Sequence, residues 1–217
     1  MCGRFTLTVA DVAELARELA AELDRLRAGE YRPRYNVAPT DLHWIVLRQD
    51  GRRRLSPARF GFTLPGRPPL INARAESAGR LATFRGPFRE GRCLVPADGF
   101  YEWTGPAGAR RPLWFHPAGG GLLLLAGLCR EERGELAFVI LTTAAGPDVA
   151  RVHDRMPAVL SAGAAEAWLE RPDPALLAPA PEGWLRSREV SPRVNAASND
   201  DPSLLDPLPP GGQGRLL

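Results

Sequence analysis

Apolar residues recur every three to four positions over residues 8–28, where Val12, Leu15, Leu19, Leu23 and Leu26 fall on one face. That spacing predicts an amphipathic helix with Thr8 as its N-cap, Asp11 three residues on and Gly29 as its stop. The segment 34–40 reads as extended or looped, because Pro39 disfavours helix just before it. Short apolar runs at 43–48 and 53–61, separated by Asp50-Gly51, predict two strands around a tight turn. Residues 63–69 read as a Pro/Gly loop, and 70–72 as a short strand leading into a helix over 74–81. A strand series follows at 92–97, 100–103, 113–116, 122–129 and 136–142, with Asp98-Gly99 joining the first two. A last helix is expected over 162–170, capped by Ser161.

Many strands and few helices, not in strict alternation, predict an α+β fold. The expectation is a single domain over residues 1–208 with a mostly antiparallel or mixed, barrel-like β-sheet core flanked by a few helices. Residues 209–217 are Pro/Gly-rich and are expected to be a disordered tail. The longest apolar run, near 121–129, falls well short of the ~18–20 residues that span a bilayer. No basic stretch followed by an apolar one opens the chain, so the cytoplasm is the expected location and no membrane partner is expected.

Charge divides the chain unevenly. Residues 1–111 hold 19 Arg against 12 acids, whereas 112–217 hold 9 Arg against 13. The positive field of the first half points to an anionic partner. Every basic side chain is Arg, since the sequence contains no lysine. Arg stays protonated and is no amine nucleophile, so a Schiff base could form only at the N-terminal amine. The three cysteines, Cys2, Cys93 and Cys129, are widely spaced and do not cluster with His43, His116 or His153. That pattern argues against a disulfide framework, and no metal or cofactor is expected. Cys93 and Cys129 lie in apolar runs and read as small buried hydrophobes.

Cys2 is different. Removal of the initiator methionine would leave a 1,2-aminothiol, which condenses with an aldehyde to an imine and then closes to a thiazolidine ring. Amine and thiol titrate near ~8 and ~8.5, so both are partly reactive at neutral pH. Asn72 and Arg74 stand where the predicted 74–81 helix opens, a place that favours anions. Glu102 lies between Tyr101 and Trp103, where partial desolvation would suit it to acid–base work. His153 sits in a polar stretch beside Asp154 and Arg155, a setting that suits proton transfer. Thr142 and Thr143 end a strand and could donate to a phosphate.

Six motifs together resemble the SRAP family of SOS-response-associated peptidases, or abasic-site-processing proteins. They are MCGRF at 1–5, RYNVAPT at 34–40, INARAES at 71–77, RCLVPADGFYEW at 92–103, HDRMP at 153–157 and VSPRVNAASND at 190–200. The resemblance implies a monomer that binds single-stranded DNA and crosslinks Cys2 to the aldehyde of an abasic site. It further implies that Asn72 positions the sugar or thiol. Glu102 would shuttle protons and aid release of Met1, and His153 would protonate the sugar ring oxygen. Arg4, Arg74, Thr142 and Arg155 match positions expected on phosphates, and Pro39 one near splayed bases. Strand cleavage as an AP lyase and peptidase activity are further activities it suggests. One departure stands out: residues 60–68 read FGFTLPGRP, without the Trp that the resemblance leads one to expect. Phe60 is expected to take over its packing role, and Phe62 or Arg67 to substitute in stacking on DNA. An amidohydrolase or peptidase using the Cys2 thiol as an N-terminal nucleophile is the alternative.

Overall fold

The computed structural model describes residues 2–106 and 108–208; the expected tail at 209–217 lies outside them. The large sheet runs in the order Arg155–Pro157, Glu135–Ala144, Leu123–Glu132, Arg92–Ala97, Leu42–Gln49, Arg52–Phe60 and Glu22–Leu23. Its neighbours are antiparallel except for Glu22–Leu23, which runs parallel to Arg52–Phe60. A second parallel contact, Ala137 opposite Arg59 and Phe138 opposite Phe60, joins strands Glu135–Ala144 and Arg52–Phe60. That contact closes five strands into a barrel. Closure removes the open edges that a flat sheet would present. The expected α+β class with a barrel-like core is the fold observed.

A second sheet, antiparallel throughout, has the order Leu185–Glu189, Arg111–Pro117, Gly99–Thr104, Phe5–Leu7 and Arg34–Val37. Its inner face meets the barrel in one apolar cluster containing Phe5, Phe60, Phe100, Phe115 and Phe138. Phe60 stacks on Phe138 at 5.0 Å and meets Phe5 edge-on at 5.4 Å. Phe60 thus has the packing role expected of it. Cys93 and Cys129 are buried, as their apolar surroundings predicted.

Four expectations need correction. The helix of 8–28 is only Val12–Glu18, and its cap is Asp11, whose side chain accepts from the Ala13 amide at 2.9 Å. Ala20 turns into the left-handed region (φ +48°), and Glu22–Leu23 then pairs with Arg54 and Leu55. Strand pairing has overridden a helical pattern, and Leu26 is left 97% exposed. Residues 63–69 are not a plain loop but belong to a hairpin of Phe62–Leu64 and Arg67–Leu70, turning through Gly66 at φ +68°. The helix of 74–81 is the single turn Ala75–Ala78. A further helix, Ala82–Glu90, forms despite Gly86 and Pro87, because Phe84 and Phe88 pack against Phe62 and Trp168. The helix Ala162–Glu170 with its Ser161 cap is as expected.

Candidate active site and nucleic-acid interface

Strand pairing delivers the N-terminal segment to the seam between the two sheets. Phe5 lies opposite Phe100, and the Tyr101 amide donates to the Arg4 carbonyl at 2.9 Å. Cys2 is thereby fully buried. Burial drives its thiol pKa upward, and the nearby Glu102 carboxylate adds to the shift. The thiol is therefore protonated at neutral pH. Glu102 itself is 3% exposed and sits on the strand Gly99–Thr104 opposite Leu113.

Asn72 completes this group. Its strand, Asn72–Arg74, runs parallel to Glu135–Ala144, with Asn72 opposite Ile140 and Arg74 opposite Thr142. The Asn72 Nδ2 donates to the Cys2 carbonyl at 3.1 Å. Its Oδ1 is buried with no hydrogen-bond partner among the described residues. An unpaired buried acceptor costs about 1–3 kcal/mol, and a ligand donor would recover that.

A second group lies at the other end of the same short strand. Arg74 is exposed, and Thr142 beside it is fully buried. Arg155 reaches both elements: Nη2 donates to the Thr142 carbonyl at 2.5 Å, and the guanidinium forks onto Glu76 at 2.6 and 2.9 Å. The Arg155 hydrogen bonds hold the Glu76 carboxyl below its ordinary pKa. His153 adjoins them, its Nδ1 accepting the Arg155 amide at 2.9 Å and lying 2.9 Å from Asp154. His43, by contrast, is buried in the core with its pKa pushed down to about 3 by burial.

Arg4 stands apart on the small sheet. Nη1 donates to Asn36 Oδ1 at 2.8 Å and to the Val194 carbonyl at 2.9 Å, and Nη2 to the Asn195 carbonyl at 3.3 Å. These acceptors are neutral, and no carboxylate among the described residues pairs with it. Its neighbour Arg34 is opposite in kind, paired with both Asp41 and Asp200. Pro39 is half-buried in the turn 38–41, where the Asp41 amide donates to the Ala38 carbonyl at 3.1 Å. Thr40 in that turn has φ +78° and is exposed.

Two substitutes considered for the missing Trp fare differently. Phe62 is buried beneath the Arg130 guanidinium, 4.1 Å from its ring centre, and offers DNA no face. Arg67 is exposed on the hairpin. Asn36, Glu76 and Asp200 fall inside the quoted motifs without a role foreseen for them, and Asp98, expected only as a turn residue, holds Thr6 and Thr8. Asn36 Nδ2 donates to carbonyls at 194, 196 and 199, and Asp200 accepts the Tyr35 and Asn36 amides.

The model of the "SOS response associated peptidase (SRAP)" family matches residues 1–197. The chain belongs to the SRAP family. The "abasic site processing protein YedK" of Escherichia coli is 36% identical over 79% of this SRAP chain and 80% of its own length. The like-named YoqW of Bacillus subtilis is 31% identical, over 95% and 99%. A crystal structure of a phage-related protein from Bordetella bronchiseptica superposes with a TM-score of 0.69 at 31% identity, over 87% and 94%. A Bacteroides thetaiotaomicron structure, at 19% identity and TM-score 0.78, shares the fold over 95% and 100%.

Proposed function

We propose that this protein processes abasic sites in single-stranded DNA by a covalent bond between Cys2 and the sugar aldehyde. The observation that carries the reading is the grip of Asn72 on the Cys2 carbonyl, with Asn72 Oδ1 unpaired and the Glu102 carboxylate close by. The names of the relatives point the same way.

The chemistry follows from the protonation states. A thiol whose pKa is raised is a poor first nucleophile. After Met1 is removed, the Cys2 α-amine attacks the open-chain aldehyde carbon. The carbinolamine loses water to an imine, with Glu102 passing the protons. The Cys2 sulfur then adds to the imine carbon, and its proton ends on nitrogen. One water leaves, no electrons are exchanged, and a thiazolidine remains. His153 protonates the ring oxygen of the closed sugar to release the aldehyde. Arg4, Arg74 and Arg155 hold flanking phosphates, Thr142, buried under Arg155, joins them once Arg155 has moved off it, and Pro39 lies against the splayed bases. Arg155 must exchange Glu76 for DNA, so its contribution is gated by that ion pair. The imine is also the species from which AP lyase cleavage would proceed. Peptidase action is confined to release of Met1, and the protein works as a monomer on DNA.

The test is incubation with a single-stranded oligonucleotide holding one abasic aldehyde, read on a denaturing gel and by intact mass. Wild type is expected to gain the oligonucleotide mass less one water. Cys2→Ala is expected to form no adduct, and a stable adduct in that variant would overturn the reading.

A further inference from the structure

Residues 74–92 carry five Arg and two Glu. One of those acids, Glu76, is taken by Arg155, and Arg92 turns its guanidinium onto carbonyls of residues 88, 89 and 168–170. Arg74, Arg80, Arg85 and Arg89 remain exposed, and none has a carboxylate partner among the described residues. Elsewhere several arginines are matched: Arg27 with Glu30, Arg48 and Arg53 with Glu166, Arg59 and Arg130 with Glu132, Arg193 with Asp201. Other exposed arginines, such as Arg17, Arg67 and Arg186, also stand without a carboxylate among the described residues, so what sets these four apart is their grouping along one short stretch of chain next to Asn72.

Their placement is ordered. Arg74 ends the strand whose first residue holds Cys2. The chain passes directly into the turn Ala75–Ala78 and then the helix Ala82–Glu90. The two are packed together, since a Cβ on Gly79 would lie 3.3 Å from the Phe88 ring. On that helix Phe84 and Phe88 face inward, whereas Arg85 and Arg89 share the outward face one turn apart. Like charges at this spacing, ~6 Å of rise, repel and weaken a helix by a few tenths of a kcal/mol. Packing does not ask for Arg85, and the last-turn position of Arg89, which suits the helix dipole, does not call for a second arginine one turn before it. A polyanion would.

We infer that the helix Ala82–Glu90 is a second contact surface for single-stranded DNA, on which Arg80, Arg85 and Arg89 hold the phosphates of the strand leaving the Arg74 position. The inference rests on the proposed function and extends it. The lesion is gripped at the seam, and one flank of the strand is carried away along this ridge. Backbone contacts of this kind give affinity without sequence preference.

The experiment uses full-length protein and oligonucleotides with a tetrahydrofuran abasic analogue, which has no aldehyde and reports binding alone. Three nucleotides flank the lesion on each side, and either the 5′ or the 3′ flank is lengthened to twelve. Wild type is expected to bind one of the two extended forms about tenfold more tightly than the short one. Arg85→Ala/Arg89→Ala should abolish that gain and reduce the salt slope by about 1.4, at ~0.7 per phosphate contact on single strands. Arg85→Glu/Arg89→Glu should bind the extended form more weakly than the short one. Both side chains are exposed, so melting temperatures should change by only a few degrees, the Glu variant being the lower because Arg89 lies in the last turn of the helix. Adduct yield with the short aldehyde oligonucleotide at saturation should not change. A length gain and salt slope that survive in the double variant would overturn the inference, as would a wild type that gains nothing from either flank. Failure of wild type to form any adduct would instead strike the covalent reading, leaving the length series to speak for the ridge.

Discussion

The barrel and the small sheet are held together by different means. The barrel closes through its own backbone and an apolar interior, with Ile45, Val95, Leu125 and Ile140 fully buried. The sheet that carries Cys2 relies on side chains from distant parts of the sequence. Asp98 accepts from Thr6 and Thr8, Asp200 from the amides of Tyr35 and Asn36, and Asn36 donates to three carbonyls of the C-terminal segment. Apolar burial is strong and non-directional, whereas hydrogen bonds are weaker and fix angles. The difference teaches that the barrel supplies stability and the small sheet supplies placement. A site that must hold an amine, a thiol and a carboxylate in register needs the second kind of contact beside it.

Two glycines test that division most severely. A Cβ on Gly99 would overlap Trp114 Nε1 and lie 2.7 Å from the Phe115 carbonyl, in the strand pair that seats Thr6. A Cβ on Gly127, inside the barrel wall, would lie 2.8 Å from Cys93 Sγ and 2.9 Å from Val95. Overpacking of this kind costs about 1–3 kcal/mol or more. Gly99→Ala should lose adduct formation even in its folded fraction, because Cys2 shifts. Gly127→Ala should lower the melting temperature while each folded molecule reacts normally. Equal loss of activity per folded molecule would erase the distinction.

The barrel too has a polar latch. Glu132 accepts from Arg59, Arg130 and the Thr63 amide, next to the parallel contact that closes the ring. Burial pulls its pKa upward, but the hydrogen bonds from Arg130, Thr63 and Arg59 outweigh it and hold the value at about 2. A depressed carboxyl stabilises the fold above its unfolded pKa of ~4.3, and that contribution fades as pH falls toward 2. Glu132→Gln should therefore cost about 2 kcal/mol at pH 7 and progressively less as pH drops below ~4. Chemical denaturation at a series of pH values reads this, and a cost independent of pH would remove Glu132 as the latch.

The smallest effect concerns Thr40. A β-branched residue at φ +78° is strained by about 1–2 kcal/mol. Thr40→Gly should relieve the strain and stabilise the fold by about 0.5–1 kcal/mol after the added freedom of the unfolded chain is counted. A loss of stability would mean that the threonine side chain contributes to the turn.

The strands of the barrel were legible because each is a short apolar run ended by a turn, as at Asp50-Gly51, where both residues have positive φ. The helix Ala82–Glu90 was not, since Gly86 and Pro87 speak locally against it and only Phe62 and Trp168, distant in sequence, explain it. The truncated N-terminal helix fails for the same reason: Leu23 pairs with Leu55 in a strand instead of continuing a helix face, and Leu26 is left exposed. At the site, residue types pointed to Cys2, Asn72 and Glu102, and the structure brings those three together. Partners were invisible. Nothing in the string says that Glu76 occupies Arg155 or that Asn36 holds Arg4, because both pairings are made across the fold.

The pairing of Phe5 with Phe100 also sets a clock. The Cys2 segment is synthesised before the strand that buries it, which follows nearly a hundred residues later. At ~5–20 residues per second, translation alone leaves Cys2 in solvent for at least about 5–20 s. Enzymes that trim or modify the beginning of the chain thus have an interval set by topology, and it ends when Gly99–Thr104 docks.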